Sequence, residues 1–367
     1  MPNENMNIID SHIHIRGGFR NPAEVLGTSM QFLSACGLSS LNAASIPHWD
    51  RESRGQNLLH ILFKALNPGK VYAFGGLEYY LPGMPREELD FGMQVRKLIE
   101  MGFDGMKMVE GKPTVRRNTG DIPLDSPLYD GYYQFMEAEK LPILLHVADP
   151  ERNWVRDVPE KAELGEWYYG DGGFVEKETL YSEVEHVLSR FPGLRIYFAH
   201  FYFLSADLER AADFLDRWPS VSFDITPGRE MYGNFSTRPK DWHDFFTKYQ
   251  DRILFGTDNG WGNDLSAAEK IQSARENVST VRSFLEGKGA MKGWGKDIQG
   301  IYLEREVLNK IYSGNFIRLA GKTPKPVDIR KAVAFCEDRH AMYCREGASD
   351  THVLDQMTQV LEMMKKI

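Results

Sequence analysis

Eight short apolar runs, rich in β-branched residues and separated by longer amphipathic stretches, restrict the fold of this 367-residue chain more than any other feature. They fall at 8–15, 40–46, 71–77, 105–109, 142–147, 195–200, 221–225 and 252–256. Near-continuous apolar strands belong to parallel sheets covered on both faces. Between them, Phe91, Val95, Leu98 and Ile99 share one helical stripe, as do Leu180, Val184, Val187 and Leu188, and again Leu208, Ala211, Ala212 and Leu215. Strand–helix–strand repetition with right-handed crossovers gives either an open doubly wound sheet or a closed ring. Eight strands suit the ring, and no glycine-rich phosphate loop follows the first strand, so we expect a (β/α)₈ TIM barrel.

The barrel pattern runs from residue 1 to about 321. After Thr323-Pro324-Lys325-Pro326, residues 322–367 read as a C-terminal helical extension, too short for a core of its own, that packs on the barrel or on a dimer partner. Its last stripe is Leu354, Met357, Leu361 and Met364. The long segment from Asp149 to Gly173, with Trp154, Trp167, Tyr168 and Tyr169, follows the fifth strand and reads as a cover over the catalytic face or as a surface insertion.

A net charge of −8 speaks against nucleic acid as a partner. No apolar stretch approaches the ~20 residues that span a bilayer, so no membrane partner is expected. The first residues lack a basic segment followed by an apolar one, and the three cysteines, Cys36, Cys336 and Cys344, have spacings of neither a zinc ribbon nor a disulfide framework. The expectation is a reduced, cytoplasmic protein, with a homodimer as the prior for an enzyme of this size.

The chemistry sits at the strand ends. In Asp10-Ser11-His12-Ile13-His14, residues two apart in a strand share a face, so His12 and His14 project together into the barrel mouth. The fifth strand ends in His146, the sixth in His200, and the eighth leads into Gly256-Thr257-Asp258. Four of ten histidines and one aspartate thus end strands where barrels keep their catalytic groups. A lone strand-end histidine is ordinarily structural; recurrence on four strands points to a metal site.

These motifs, with Gly105-Met106-Lys107 on the fourth strand, Ala199-His200 and the closing Ser313-Gly314-Asn315-Phe316-Ile317-Arg318-Leu319, resemble the amidohydrolase superfamily, and within it the amidohydrolase 2 group of metal-dependent hydrolases and decarboxylases. The resemblance covers residues 7 to about 321. It implies that His12, His14, His146 and Asp258 bind one divalent metal, zinc first and manganese or iron as alternatives, which brings the pKa of a water toward neutrality. It also implies Asp258 as the proton acceptor and donor, with His200 beside the metal orienting water or steadying charge on the substrate. Lys107 pairs with a substrate carboxylate in this reading; a second metal bridged by a carboxylated Lys107 is the lesser alternative.

Arg16, Arg152 and Arg229 are further candidates for holding a carboxylate, and Trp49, Tyr202 and Trp261 for walling an apolar pocket, while Glu78 reads as support behind the site. For each, an ordinary loop residue is an equal reading. The resulting expectation is a metal-dependent hydrolase of a small, possibly carboxylated substrate. A non-oxidative decarboxylase or hydratase on the same site is the alternative, and a barrel that only binds is the third.

Overall fold

The computed structural model describes residues 6–15, 21–49, 55–159, 161–228, 230–261, 266–345 and 351–367. The eight expected strands are all present: β1 (Ile9–Ile15), β2 (Ser40–Ala44), β3 (Val71–Gly75), β4 (Gly105–Gly111), β5 (Pro142–Val147), β6 (Arg195–Phe198), β7 (Ser222–Asp224) and β8 (Ile253–Leu254). Each pairs in parallel with its neighbour in sequence order, the ladder of a TIM barrel. A short β9 (Asn259–Trp261) continues the chain beyond β8 and pairs in parallel with β1. Closure between first and last strands comes from Ser11 N–H donating to Phe255 O (3.0 Å) and Asp258 N–H donating to His12 O (2.8 Å).

One irregularity in β1 decides what the barrel mouth contains. Pairing with β2 runs Asp10 to Leu41 and then Ile13 to Ala43, so β1 carries an extra residue. A bulge of this kind reverses which parity of residues faces inward. Ile9 therefore packs among the barrel-interior residues Phe74, Leu144, Tyr197 and Leu254. Past the bulge, Ile13 and Ile15 join the outer layer between sheet and helices, leaving the even-numbered His12 and His14 inside.

The lower end of the barrel is sealed by the helix Asn315–Ala320, which inserts Phe316 and Leu319 into that interior cluster. The rings of Tyr72 and Phe316 meet edge-on at 5.0 Å. Above this apolar plug, Asn42 Nδ2 and Tyr197 Oη both donate to Ser11 O (3.0 Å each), a polar floor beneath the histidines.

Helices Ile329–Arg345 and Thr351–Met364 pack on each other and against the barrel helices Gln56–Leu66 and Phe91–Met101. The buried stripe of the last helix is Val353, Met357, Val360 and Met364; Leu354 and Leu361, expected on it, are only partly buried because the stripe is rotated. The chain reaches these helices by passing close over Gly102 (φ 116°), where a Cβ would lie 2.5 Å from Pro326 O, so only glycine fits. At the next turn Lys325 N–H donates to buried Asp104 (2.8 Å), whose other oxygen meets the Lys64 amine at 2.5 Å. A hairpin, β10 (Lys288–Gly293) and β11 (Lys296–Ile301), was not expected from the sequence; its two-residue turn has Trp294 and Gly295 both at positive φ. Among the described residues no helix is long and apolar enough to cross a membrane.

Candidate metal centre

His12 and His14 are each oriented through Nδ1. His12 Nδ1 lies 2.8 Å from Asp224 Oδ2, and His14 Nδ1 lies 2.7 Å from the Ala44 carbonyl. A carbonyl and a carboxylate can only accept, so both Nδ1 atoms carry protons and both Nε2 atoms present lone pairs. Those Nε2 atoms face one another across 3.0 Å. Two neutral imidazoles do not hold lone pairs that close without a cation or a proton to share.

Asp258 supplies the charge. Its Oδ1 lies 3.3 Å from His14 Nε2 and 3.7 Å from His12 Nε2, and its Oδ2 lies 3.8 Å from His200 Nε2. The residue sits in the left-handed region (φ 52°), pinned by its N–H to His12 O. Just before it, Thr257 is clamped to Asp10 by N–H to Oδ1 (3.1 Å) and Oγ1–H to Oδ2 (2.5 Å), which ties the eighth strand end to the first. The donor atoms of His12, His14 and Asp258 lie within 4.8 Å of one another. Two imidazoles and a carboxylate of borderline softness fit zinc, manganese or iron.

Electrostatics agree with this donor set. Burial, aided by the Lys107 charge, pulls the His12 imidazole well below its usual pKa, so it is neutral and able to ligate. For Asp258, burial pushes the carboxyl upward, but the positive charge that His12, His14 and His200 carry when protonated, with that of Lys107, outweighs it and holds the carboxyl well below the usual carboxylate range. Lys107 points up from β4 with Nζ 3.2 Å from His12 Nε2. Burial lowers its pKa to about 8 against the opposing pull of Asp224 and Asp258.

His200 opens a left-handed turn: His200, Phe201, Tyr202 and Phe203 have φ of 54°, 56°, 55° and 50°. Four consecutive non-glycine residues there are costly, and the turn is held by side chains. His200 N–H donates to Asp224 Oδ1 (2.8 Å) and Thr226 Oγ1 (3.2 Å). Asp224 therefore fixes both His12 and His200, a role the sequence reading missed. The only signal was its position at the end of an apolar strand.

His146 stands outside the three-residue donor group. Its Nε2 lies 3.0 Å from the Ala148 carbonyl and 3.8 Å from Asp149 Oδ1, and its ring meets that of His200 edge-on at 4.9 Å. Burial brings its pKa to about 3, so the ring is neutral. With Nε2–H donated to Ala148, Nδ1 carries its lone pair.

A cavity of about 510 Å³ opens over these groups, lined by His12, His14, Lys107, His146, His200 and Asp258 at its base. Trp49 is part of its wall. The segment expected as a cover contributes Arg152, Asn153, Leu164, Glu166 and Trp167. Tyr202 is a correction. The left-handed turn swings it away from the mouth into the core, where its ring lies tilted against those of Phe198 and Phe214, with centres 4.2 Å and 4.8 Å away. Glu78 lies farther back, paired with Arg339. Arg16, Arg229 and the Trp261 side chain lie outside the described residues.

The family profile described as amidohydrolase matches residues 91–321, well over half of the chain. The chain belongs to the amidohydrolase family. It is an enzyme of the metal-dependent hydrolase and decarboxylase type, as the sequence resemblance implied. This amidohydrolase is similar in fold to an uncharacterised TIM-barrel protein from Bordetella bronchiseptica, at TM-score 0.51 and 14% identity over 86% of this chain and 99% of that one. A 5-carboxyvanillate decarboxylase from Sphingomonas paucimobilis gives TM-score 0.51 and 13% identity over 86% and 99%. A dihydroxybenzoic acid decarboxylase from Polaromonas, solved with manganese and the inhibitor 2-nitroresorcinol, gives 0.50 and 14% over 86% and 97%. At such identities the likeness is one of fold. None of the curated proteins matches the chain.

Proposed function

We propose that this amidohydrolase is a metal-dependent hydrolase of a C–O or C–N bond in a small carboxylated molecule. The observation that carries the reading is the pair of Nε2 lone pairs 3.0 Å apart, closed by the Asp258 carboxylate at the floor of the cavity. One divalent ion, zinc first and manganese or iron as alternatives, would be held by His12, His14 and Asp258, with His146 offering Nδ1 as a further donor. When bound, such an ion activates water as a nucleophile and polarises a substrate oxygen. Asp258 takes the proton from the attacking water and returns it to the leaving group. His200, held by Asp224 and Thr226, faces Asp258 and steadies charge that develops on the substrate. The Lys107 amine reaches the same floor and meets a substrate carboxylate there, which favours one ion over a pair bridged by carboxylated Lys107. Trp49 packs against the body of the substrate, and Arg16, Arg229 and Trp261 are further proposed substrate contacts.

A second reading, non-oxidative decarboxylation, is favoured by the rings of Trp49, Trp167 and Phe203 around the cavity and by the fold shared with two decarboxylases of aromatic acids. We further place residues 1–321 in the barrel domain and 322–367 in an extension clasped on it. We propose a cytoplasmic homodimer acting on a small molecule, in keeping with three free thiols. Zinc- and manganese-loaded enzyme should be assayed on lactones, amides and aromatic acids, following acid release and carbon dioxide separately. Acid release without carbon dioxide supports hydrolysis. Carbon dioxide released together with the decarboxylated remainder, and no hydrolysis product, moves the assignment to decarboxylation, and metal-loaded protein inert on the whole panel counts against both.

A further inference from the structure

The hairpin of β10 and β11 is wedged between two helices. Gly293 approaches the helix Ala267–Glu286 so closely that a Cβ there would lie 2.5 Å from Thr280 Cγ2. On the other side, Gln299 N–H donates to Ser236 Oγ (2.8 Å) on the helix Met231–Thr237. The turn carries Trp294 at φ 50°, a place that asparagine, aspartate or glycine ordinarily fills and that a bulky side chain adopts at a cost. Such a residue persists where its surroundings hold it. Trp294 is held by its indole Nε1–H, which donates to Asn277 Oδ1 (2.8 Å), and by a ring contact with Tyr232, 5.0 Å between centres.

The indole bond is the first link of a chain that ends at the candidate metal centre. Asn277 Nδ2 donates to Asn259 Oδ1 (2.7 Å), Asn259 Nδ2 donates to Thr257 Oγ1 (2.6 Å), and Thr257 Oγ1–H donates to Asp10 Oδ2 (2.5 Å). Asp10 Oδ1 in turn accepts the backbone N–H of His12 (3.2 Å). An indole can only donate, so Trp294 sets the polarity of the chain from its far end. It claims Asn277 Oδ1 and turns Asn277 Nδ2 toward Asn259, which then offers its own Nδ2 to Thr257. Asp258 lies between Thr257 and Asn259, both buried, and the bond joining those two spans it at its left-handed backbone position (φ 52°). A second arm leaves Trp294 through Tyr232, whose Oη donates to Ile225 O (2.7 Å). Ile225 sits between Asp224 and Thr226, the two residues that hold His200.

We infer that Trp294 is a positioning residue of the metal centre, acting from the hairpin turn through Asn277 and Asn259 to place Asp258 as a donor. The hairpin then belongs to the frame of the site, although none of the described cavity residues comes from it. This rests on the proposed metal-dependent function and names what aims one of its donors.

The test compares the full-length wild type with W294F, N277L and V281A. Zinc affinity is measured by chelator competition, the visible spectrum is recorded on cobalt-loaded samples, and circular dichroism checks the fold. W294F keeps a ring against Tyr232 and removes only the indole donor. N277L removes both links at the middle of the chain. Val281 is buried on the same helix one turn on and takes no part in the chain, so V281A reports what loosening the helix does by itself. The net worth of one hydrogen bond corresponds to about two- to tenfold in affinity. N277L should therefore bind zinc about fivefold or more weakly, and W294F about two- to fivefold more weakly. The cobalt bands, which follow donor geometry, should shift or change intensity in N277L. V281A should keep zinc affinity within about twofold and the wild-type cobalt spectrum, even at a lower Tm. Wild-type zinc affinity and cobalt spectrum in folded N277L overturn the inference. A loss in V281A as large as that in N277L overturns it too, since it marks the effect as helix packing. Unchanged W294F beside a weakened N277L removes Trp294 from the role and overturns the inference as stated. If N277L does not fold, W294F against V281A decides. Wild-type protein that takes up neither zinc nor cobalt overturns the functional reading and this inference with it; a loaded wild type with N277L unchanged overturns the inference alone.

Discussion

Asp224 Oδ2 accepts the Nδ1–H of His12 at 2.8 Å while Asp224 Oδ1 accepts the backbone N–H of His200 at 2.8 Å. One buried carboxylate at the end of β7 thus fixes the tautomer of a donor on β1 and the start of the strained turn after β6. Support of this kind ordinarily sets metal affinity within a factor of about 10–100. D224N retains the shape and loses the charge. It should weaken zinc affinity by that range in chelator competition while the circular dichroism spectrum is kept. Affinity within twofold of the wild type would remove Asp224 from the account.

Gly256 offers a steric test of the same site. A Cβ there would lie 2.7 Å from Thr226 Cγ2, 3.1 Å from His12 Cβ and 3.3 Å from Ser11 Oγ. Overpacking of this sort costs about 1–3 kcal/mol. The strain falls on His12 and on the threonine beside His200, so G256A should lose zinc affinity as well as lower Tm. A drop in Tm with zinc affinity intact would show that the donors tolerate the displacement.

The extension is joined to the barrel by charge as well as by packing. Arg339 Nε and Nη2 grip Glu78 at distances of 2.7–3.0 Å, with both side chains buried, and Glu78 Oε1 lies 3.6 Å from His48 Nδ1. Burial alone would raise the Glu78 carboxyl, but Arg339 and His48 outweigh it and bring its pKa to about 2. Between the ordinary glutamate value of about 4.3 and this lower one, the unfolded chain binds more protons than the folded one. The stability contributed by Glu78 is therefore complete above about pH 4.3 and disappears as pH falls toward 2. R339M leaves a buried carboxylate with too little compensation and should cost about 3–5 kcal/mol at pH 7, measured by urea unfolding. The double variant E78Q/R339M should recover part of that loss and show a shallower acid limb. Equal stability of R339M and the wild type at pH 7 would contradict this.

The donor group and most of the fold were legible because they follow from local periodicity. His12 and His14 share a face by the two-residue repeat of any strand, and His146, His200 and Asp258 stand out as polar residues that end apolar runs. What escaped depends on partners far away in the chain. Asp224 looks like any acid at a strand end until His12, 212 positions earlier, is beside it. The β1 bulge, which turns Ile9 and His12 to the same side, is set by pairing with β2. Tyr202 followed a strand as a wall residue should, yet a left-handed turn held by Asp224 and Thr226 sends it into the core. The Trp294-Gly295 hairpin carried a local signal, but its strands are glycine- and lysine-rich and lack the alternation that marks a half-buried strand.

The central claim is that His12, His14 and Asp258 hold one divalent ion. It is tested most directly by counting zinc in the wild type, H12A, H14A and D258N after loading, extensive desalting and elemental analysis, with circular dichroism as the folding control. The account predicts about one equivalent in the wild type, none retained in folded H12A or H14A, and weakened retention in D258N. A full equivalent in the folded double variant H12A/H14A would contradict it.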